Sequence, residues 1–305
     1  MVCALQSAGI DVTCYKGVAL SALLFGDAGI RVSGDIDLIV PEDRVADAGR
    51  CLTSLGYDPT VVLDEGGLRE WMRYLHGRVF QGPGGWPRVD LQWRIVRSTQ
   101  IAISGDPGLL LQHRRSVGLA GGSVPVLSLE ANLIALSVHG AKHLWQQLRW
   151  VCDLGQLLTN PELDAALSVR LANQMGVRRI LGVGVALVLE LLDVTVPAPL
   201  VCTIDRTAGR IAARLRQDMF ASDGPRWGGS LSPIVWFLLR ERWRDRLAGA
   251  VAWLLQILRP NHWDREIVQL PERWSFLYYL IRPFRLVSKH GSRILPGKPA
   301  APYIK

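Results

Sequence analysis

Two kinds of hydrophobic pattern divide the sequence near residue 120. Up to that point, short apolar runs typical of strands alternate with amphipathic stretches typical of helices. From about residue 126 onward, apolar residues recur at spacings of three and four, which is the period of a helix. This order predicts an α+β protein, with a small mixed β-sheet core and flanking helices over 1–120 and a mostly α-helical domain over 126–305. The segment GLAGGSVPV at 118–126 is the predicted boundary.

The individual helices and strands can be placed from turn and cap residues as well as from the spacing of apolar residues. In the first part we predict strands at 11–16 and 35–40, two strands around a Gly/Pro turn within 77–95, and helices at 17–25 and 41–56. Beyond the boundary we predict helices at 127–158, 162–192, 205–220, 231–259 and 273–289. Ser128 is the expected cap at the start of the first of these.

Composition excludes several classes of protein. Hydrophobic residues make up 49% of the 305 positions and charged residues 20%, which is typical of globular chains rather than disordered ones. The five cysteines show no CxxC pair, so we expect a reduced, cytoplasmic protein. The apolar run at 180–189 is too short to cross a bilayer, and we therefore expect no transmembrane segment.

Positive charge is concentrated in the last third of the chain. Residues 1–200 hold 17 Lys+Arg and 19 Asp+Glu, whereas residues 201–305 hold 18 and 8, so the net excess of +8 arises there. Such asymmetry is typical of chains that bind RNA, lipid headgroups or an acidic peptide, and equally of a solvated Arg-rich helical surface. Trp236, Trp243 and Trp253 alternate with arginines, a pattern that fits helix packing or a partner-binding surface. Both interpretations stay open.

Two carboxylates lie in an otherwise apolar predicted strand, SGDIDLIV at 33–40. Asp35 and Asp37 are two positions apart, so they point to the same side of the strand and repel each other unless a cation lies between them. Asp90 occupies a second predicted strand, in RVDLQW. Three carboxylates on neighbouring strands suit a hard divalent cation that holds a nucleotide's phosphates. The third acid would either ligate the metal or accept a proton from an attacking hydroxyl.

The stretch from Tyr15 to Tyr57 resembles the core of the nucleotidyltransferase superfamily, which has the polymerase-β-like fold. More narrowly, the chain resembles a bacterial family of uncharacterised nucleotidyltransferases. That family has a K-G-x-x-L opening, an R-x-x-D-I-D-L core, a D-L-x-W strand and an H-G-x-K-H-x-W helix. The resemblance covers nearly the whole chain. It implies an enzyme that uses Mg²⁺ or Mn²⁺ to move a nucleoside monophosphate group from a nucleoside triphosphate such as ATP to an acceptor hydroxyl or phosphate, with release of pyrophosphate.

The resemblance also implies roles for particular residues. Asp35 and Asp37 match the metal-binding pair, and Asp90 matches the third carboxylate of the catalytic and metal-binding set. Gly17 matches the glycine at a helix N-terminus that lets the backbone approach the triphosphate. Ser33 and Gly34, directly before the pair, are assigned to the same nucleotide site. From its position alone, Ser33 fits either a residue that orients a carboxylate or an ordinary turn serine.

Two positions depart from the family pattern. Val18 stands where the superfamily has a serine that binds phosphate, and Gln92 stands where the family commonly has a histidine. Lys16 is expected to compensate for the first change by contacting phosphate itself. The chain also begins almost on the first predicted strand, where relatives are expected to carry a longer helical segment.

A second cluster lies in the predicted helix HGAKHLWQQLRWVCDL at 139–154. His139 and His143 share one helical face, with Lys142 on an adjacent stripe. A zinc site of the H-E-x-x-H type is disfavoured because position 140 is glycine. Two interpretations remain: histidines bonded to backbone carbonyls in a half-buried helix, or a cluster that faces the sheet across a cleft and binds the triphosphate. The resemblance favours the second, with the helical domain closing over the nucleotide.

The acceptor and two alternative functions are left open by the residues. Members of the resembled family often lie beside genes for ribosomally made, modified peptides such as lasso peptides, so a peptide is the first expected acceptor, ahead of a small molecule. One alternative is a nucleotide- or peptide-binding protein that keeps the fold but has weak or no activity, as the Val18 departure suggests. Another is a toxin-type transferase that modifies transfer RNA through the basic C-terminal region.

Overall fold

A mixed β-sheet followed by helices makes up the computed structural model, which describes residues 1–31, 33–95, 108–119, 121–221, 232–258 and 277. The chain divides into one unit over Met1–Leu247 and a second over Ala248–Lys305. In the second unit the description covers 248–258, which are helical, and residue 277. The sheet and all the residues discussed below lie in the first unit.

Seven strands of the described chain form one sheet in the order β3-β4-β5-β2-β1-β7-β6. Their bounds are β1 Thr13–Cys14, β2 Asp35–Ile39, β3 Asp58–Pro59, β4 Gly77–Gln81, β5 Arg88–Gln92, β6 Arg114–Leu119 and β7 Gly122–Leu127. The central strands β2 and β5 run parallel, β1 is antiparallel to β2 and parallel to β7, and the outer pairs are antiparallel. The sheet is therefore mixed.

Helices flank the sheet and then dominate the chain. Those within or before the sheet region are α1 Val2–Ser7, α2 Gly17–Phe25, α3 Val45–Ser54 and α4 Glu65–Tyr74. Those after it are α5 Leu129–Lys142, α6 Leu148–Leu158, α7 Ala165–Met175, α8 Arg178–Leu191, α9 Ala198–Val201, α10 Arg206–Met219, α11 Ser232–Leu239 and α12 Trp243–Leu258. No helix in these described stretches is long and apolar enough to cross a membrane.

Two hydrophobic clusters follow from this arrangement. One fills the sheet region, where Leu38, Val89 and Leu91 on the central strands are fully buried against α3 and its neighbours. The other runs through the helices around Trp145, which is also fully buried. On β5 the apolar residues Val89 and Leu91 alternate with polar ones, so one face of the central strands packs into the core and the other carries polar side chains.

The predicted α+β fold class is confirmed. Helix α2 has the predicted bounds, and β2, β4 and β5 lie in the predicted stretches. Ser128 caps α5 as predicted, accepting a hydrogen bond from the Ala131 amide at 3.3 Å. All five cysteines are free. The division into domains at 120–126 stays a prediction, and strand β7 falls across it.

Three stretches that we predicted as single helices, 127–158, 162–192 and 231–259, are each two helices in the structure. The single helix predicted over 127–158 is two helices, because the chain reverses between α5 and α6, where Leu144 and Trp145 take positive φ angles of 52° and 44°. The hairpin of β6 and β7 spans the predicted boundary at 118–126. The helix predicted at 273–289 falls outside the described residues apart from residue 277.

Candidate active site

The three predicted carboxylates lie on neighbouring strands at the centre of the sheet. Strands β2 and β5 pair in parallel, with Asp37 directly opposite Asp90 and Asp35 opposite Arg88. Residues opposite each other, and residues two apart on one strand, point to the same face. Asp35, Asp37 and Asp90 therefore share one face of the sheet, although 53 positions of sequence separate Asp37 from Asp90.

A buried amide joins two of these carboxylates. The Gln92 Nε2 atom donates to Oδ1 of Asp37 and to Oδ2 of Asp90, each at 2.8 Å. Gln92 is 2% exposed, and its own Oε1 has no hydrogen-bond partner. The Asp90 carboxylate has room beside the adjacent strand because residue 77 is glycine. A Cβ at that position would lie 2.9 Å from Oδ1 of Asp90. The side chain at position 92 thus sets the spacing of the two acids.

The turn into helix α2 brings a cation and a helix N-terminus to the same place. Lys16 and Gly17 have positive φ angles of 63° and 52°, and α2 begins without a side-chain cap at Lys16. A Cβ at position 17 would lie 3.1 Å from the Ser33 Oγ atom, so only glycine fits this approach. The Lys16 ammonium lies 3.6 Å from Oδ1 of Asp37.

Asp35 lies nearer the solvent than Asp37. The Ser33 hydroxyl donates mainly to the Asp35 backbone carbonyl at 2.8 Å and lies 3.4 Å from its carboxylate Oδ1. On the other side, Arg88 donates to Oδ2 of Asp35 at 3.2 Å from a largely exposed side chain. Ser33 therefore fixes the backbone at the start of β2, and Arg88 supplies a charge that can leave when a stronger cation arrives.

The burial and mutual repulsion of the three carboxylates favour binding of a cation. Burial raises the pKa of Asp37 to about 6; the Lys16 ammonium opposes this shift, while the charges of Asp35 and Asp90 add to it. Burial also raises the pKa of Asp90, against the hydrogen bond from Gln92. A divalent cation would reverse both shifts, and its preferred ligands are carboxylate oxygens.

The side chains nevertheless do not form a complete metal cage by themselves. Within the part of the chain that the structure describes, no group of three or more His, Cys, Asp or Glu side chains is placed to hold a metal ion. Mg²⁺ commonly binds through one or two carboxylates together with substrate phosphates and water. Asp35 and Asp37 fit that mode, because their carboxylates share a face and need no third protein ligand.

The second predicted cluster forms the opposite side, at the end of α5 and in α6. The rings of His139 and His143 lie 4.9 Å apart, and each lies 5.3 Å from the ring of Trp150. The Lys142 ammonium lies 3.4 Å from Nε2 of His76, which precedes strand β4. The polar residues of α5 therefore meet the sheet region rather than the solvent alone.

Both histidines are held in the neutral form. Burial, and then the positive charges of Lys16 and its neighbours, lower the pKa of His139 to about 2. Burial and the charge of Lys142 lower the pKa of His143 as well. The two rings therefore act as uncharged aromatic groups near pH 7, and positive charge on this side comes from lysine and arginine.

A cavity of about 410 Å³ lies between these groups. It is lined by Lys16, Arg31, Ser33, Gly34, Asp35, Asp37, His76, Arg88, Asp90, Gln92, Ile95, His139, Lys142, His143, Arg149 and Trp150. The predicted site residues are thus brought together there, with Gly17 beneath the wall rather than in it. The sequence did not assign His76, Arg88 or Trp150 to the site. Strand parity could have placed Arg88 beside Asp90, whereas the chain reversal between α5 and α6 gave no local signal for Trp150.

Comparison with known proteins gives one family match and two structural matches. A family model described as an uncharacterised nucleotidyltransferase matches residues 1–193. No curated protein matches the chain. A solution structure of the antibiotic-resistance factor ANT(2'')-Ia is 16% identical, with 55% of this chain and 83% of that chain covered and a TM-score of 0.39. An antigenic nucleotidyltransferase-like protein from Paracoccidioides brasiliensis is 19% identical, with 55% and 82% covered and a TM-score of 0.32.

Proposed function

The chain belongs to the family of uncharacterised nucleotidyltransferases, and from this membership we propose that it transfers a nucleoside monophosphate group from a nucleoside triphosphate to an acceptor in a divalent-metal-dependent reaction. The observation that carries the proposal is the convergence of Asp35, Asp37 and Asp90 on one face of the sheet, beside the Lys16–Gly17 turn and a largely basic cavity. Carboxylates for a cation and basic groups for phosphates are the two requirements of this chemistry.

Asp35 and Asp37 would hold Mg²⁺ or Mn²⁺ in this proposal. When bound, the cation neutralises charge on the α-phosphate and on the leaving pyrophosphate. Asp90 either completes the ligand set or accepts the proton of the acceptor hydroxyl. In both cases the hydrogen bond from Gln92 and the strand register keep its carboxylate beside that of Asp37. Binding requires the Lys16 ammonium to leave Asp37, which sets it free for a phosphate oxygen.

The triphosphate would lie along the basic side of the cavity. Backbone amides at the start of α2, which has no side-chain cap, favour an anion near this turn. Lys16 and Lys142 supply charge to the phosphates, and Ser33 and Gly34 line the same part of the cavity. His139 and His143 complete the nucleotide site as neutral groups.

The reaction itself is an in-line displacement at the α-phosphorus. The acceptor oxygen forms a bond to that phosphorus while the bond to the bridging oxygen of the β-phosphate breaks, and pyrophosphate leaves with the electron pair. The acceptor proton passes to Asp90 or to water. The contribution of the protein is mainly to position the reacting groups and to balance their charge.

The acceptor is proposed to carry a hydroxyl or phosphate group, and a ribosomally made peptide is the first to test, followed by small molecules. Transfer RNA is the alternative acceptor, through the basic C-terminal region. Most of that region lies outside the described residues. We also keep the division of labour between a catalytic core over 1–120 and a helical domain over 126–305 as part of the proposal.

The decisive experiment measures pyrophosphate release with Mg²⁺ and each labelled nucleoside triphosphate, with and without acceptors; water serves as the acceptor when none is added. We expect Asp35→Asn and Asp37→Asn each to lower the rate at least about a hundredfold, as loss of a group that stabilises transition-state charge does. The matched control is Asp58→Asn on the exposed edge strand β3, which should keep the wild-type rate. Release that survives in the Asp35 and Asp37 variants would refute the assignment.

A protein that binds nucleotide but releases no pyrophosphate under any of these conditions would support the alternative of an inactive nucleotide-binding protein.

A further inference from the structure

Three aromatic rings form a wall of the cavity where α5 ends and α6 begins. His143 and Trp150 lie 5.3 Å apart with their rings tilted by 32°, close to a stacked arrangement. His139 meets both rings edge-on, at 4.9 and 5.3 Å. Trp150 is 8% exposed, whereas His143 is exposed and lines the cavity. All three rings line the cavity, and His143 is the most exposed of them.

The turn after α5 holds this ring in place. The Trp145 amide donates to the carbonyl of Gly140 at 2.8 Å, which reverses the chain directly after His143. A side chain at position 140 would overlap the Trp145 indole, since a Cβ there would lie 2.7 Å from its Cδ1. Because Trp145 is fully buried, the backbone on both sides of His143 is fixed by core packing rather than by the ligand.

The wall differs chemically from the rest of the cavity. Its neighbours Lys16, Lys142 and Arg149 are cationic and suit phosphate oxygens. The two imidazoles are neutral near pH 7, since burial and the charges of Lys16 and Lys142 lower their pKa values. A neutral ring backed by tryptophan gains more from contact with a flat aromatic group than from contact with an anion.

We propose that the accessible face of His143, supported from behind by Trp150, is the stacking surface for the nucleobase of the nucleoside triphosphate. This inference rests on the proposed function. The base is the flat aromatic part that every such substrate carries, and it is tied through the ribose to the α-phosphate that must reach the carboxylates. Stacking tolerates all bases because each has a π face, and it favours purines because they offer more area. His143 then positions the base, while the lysines hold the phosphates.

Binding measurements with and without a base test the proposal. The ligands are the α,β-methylene analogue of ATP, its cytidine counterpart and inorganic tripolyphosphate, titrated by calorimetry with Mg²⁺ present. We expect His143→Ala to weaken binding of the ATP analogue by about 5- to 150-fold, the range for loss of one base–aromatic stack, and the cytidine analogue by less. Tripolyphosphate, which has no base, should bind the variant as it binds the wild type.

Two further variants separate stacking from other roles of the side chain. His143→Phe keeps an aromatic ring and removes both ring nitrogens, so it should restore most of the affinity for the ATP analogue. Gln146→Ala changes an exposed residue of the same turn that does not line the cavity, and it should bind all three ligands like the wild type.

Three results would overturn the inference. Equal loss of affinity for tripolyphosphate and for the ATP analogue in His143→Ala would make His143 a phosphate contact. Unchanged affinity for both would remove it from the nucleotide site while leaving the proposed function standing. A wild-type protein that binds neither nucleotide nor tripolyphosphate would overturn the proposed function together with this inference.

Discussion

Arg31 and Asp153 form a buried, two-pronged ion pair between the loop that precedes strand β2 and helix α6. The Arg31 Nε atom lies 3.1 Å from both carboxylate oxygens of Asp153, and its Nη2 lies 3.1 Å from one of them. The side chains are 12% and 6% exposed. The pair ties the loop that carries Ser33 and Gly34 to the helix that carries Trp150, so it joins the two sides of the cavity.

This ion pair should matter for stability far more than a surface pair. Asp153→Asn leaves the buried guanidinium without its counter-charge and is expected to lower the free energy of unfolding by about 3 kcal/mol, measured in urea. Glu65→Gln removes the partner of Arg69 in an exposed pair at 3.8 Å and should cost less than about 0.5 kcal/mol. Similar losses in both variants would contradict the view that the pair holds the loop to α6.

Removal of the shared amide at position 92 should weaken the carboxylate site without unfolding the chain. Gln92→Leu leaves Asp37 and Asp90 without their common donor, and we expect pyrophosphate release to fall by about 10- to 100-fold, the usual cost of losing a partner that orients a metal ligand. The Mg²⁺ concentration at half-maximal rate should rise as well. Gln92→His retains a ring N–H donor and should be less affected.

The matched control for this prediction is Gln81→Leu, which removes an amide from an exposed position of strand β4. Its rate and Mg²⁺ dependence should equal those of the wild type. A Gln92→Leu enzyme that is indistinguishable from this control would show that the spacing of the two acids does not depend on the amide.

The glycine at position 140 should be required for the turn after α5. Alanine usually stabilises a helix interior by about 0.5–1 kcal/mol relative to glycine. Gly140→Ala should instead destabilise the protein by about 1–3 kcal/mol, because its Cβ would overlap the buried indole of Trp145. Gly118→Ala in strand β6 meets no heavy atom within 4 Å and serves as the control. Thermal or urea unfolding distinguishes the two.

The buried imidazole of His139 should make stability depend on pH. Its folded-state pKa is about 2, with burial as the main cause and the charges of Lys16, His143, Lys142 and Arg31 adding to it. Below the unfolded value of about 6.5, the unfolded chain binds a proton that the folded chain does not, so the free energy of unfolding falls as the pH falls. Between about pH 7.5 and pH 5.5 the free energy of unfolding should fall by about 1.4 kcal/mol from this cause.

A His139→Gln variant has no such proton to bind. Over the same pH interval it should lose about 1.4 kcal/mol less stability than the wild type, since the other titrating groups are common to both proteins. Urea unfolding at the two pH values gives the comparison, with each protein referred to its own stability at the higher pH. Equal losses in the two proteins would mean that His139 is accessible to protons in the folded state.

Local patterns in the sequence were sufficient for the central elements of the site. The apolar run that ends in Val40 predicts strand β2, and the glycine-led stretch before it predicts helix α2 with its observed bounds. Both follow from short-range causes, namely the two-residue period of a strand and the turn chemistry of glycine. The shared face of Asp35 and Asp37 follows from the same period.

What the sequence by itself determined is therefore which residues are candidates for the chemistry, and that strand β2 and helix α2 lie where they do. Only the tertiary structure decided that Asp90 lies opposite Asp37, that Gln92 bridges them, and that His143 and Trp150 come within stacking distance across a reversed turn. The physical reason is that strand register and helix breaks depend on packing between distant segments. A fully buried side chain such as Trp145 can hold Leu144 and itself at positive φ, which no local preference would predict.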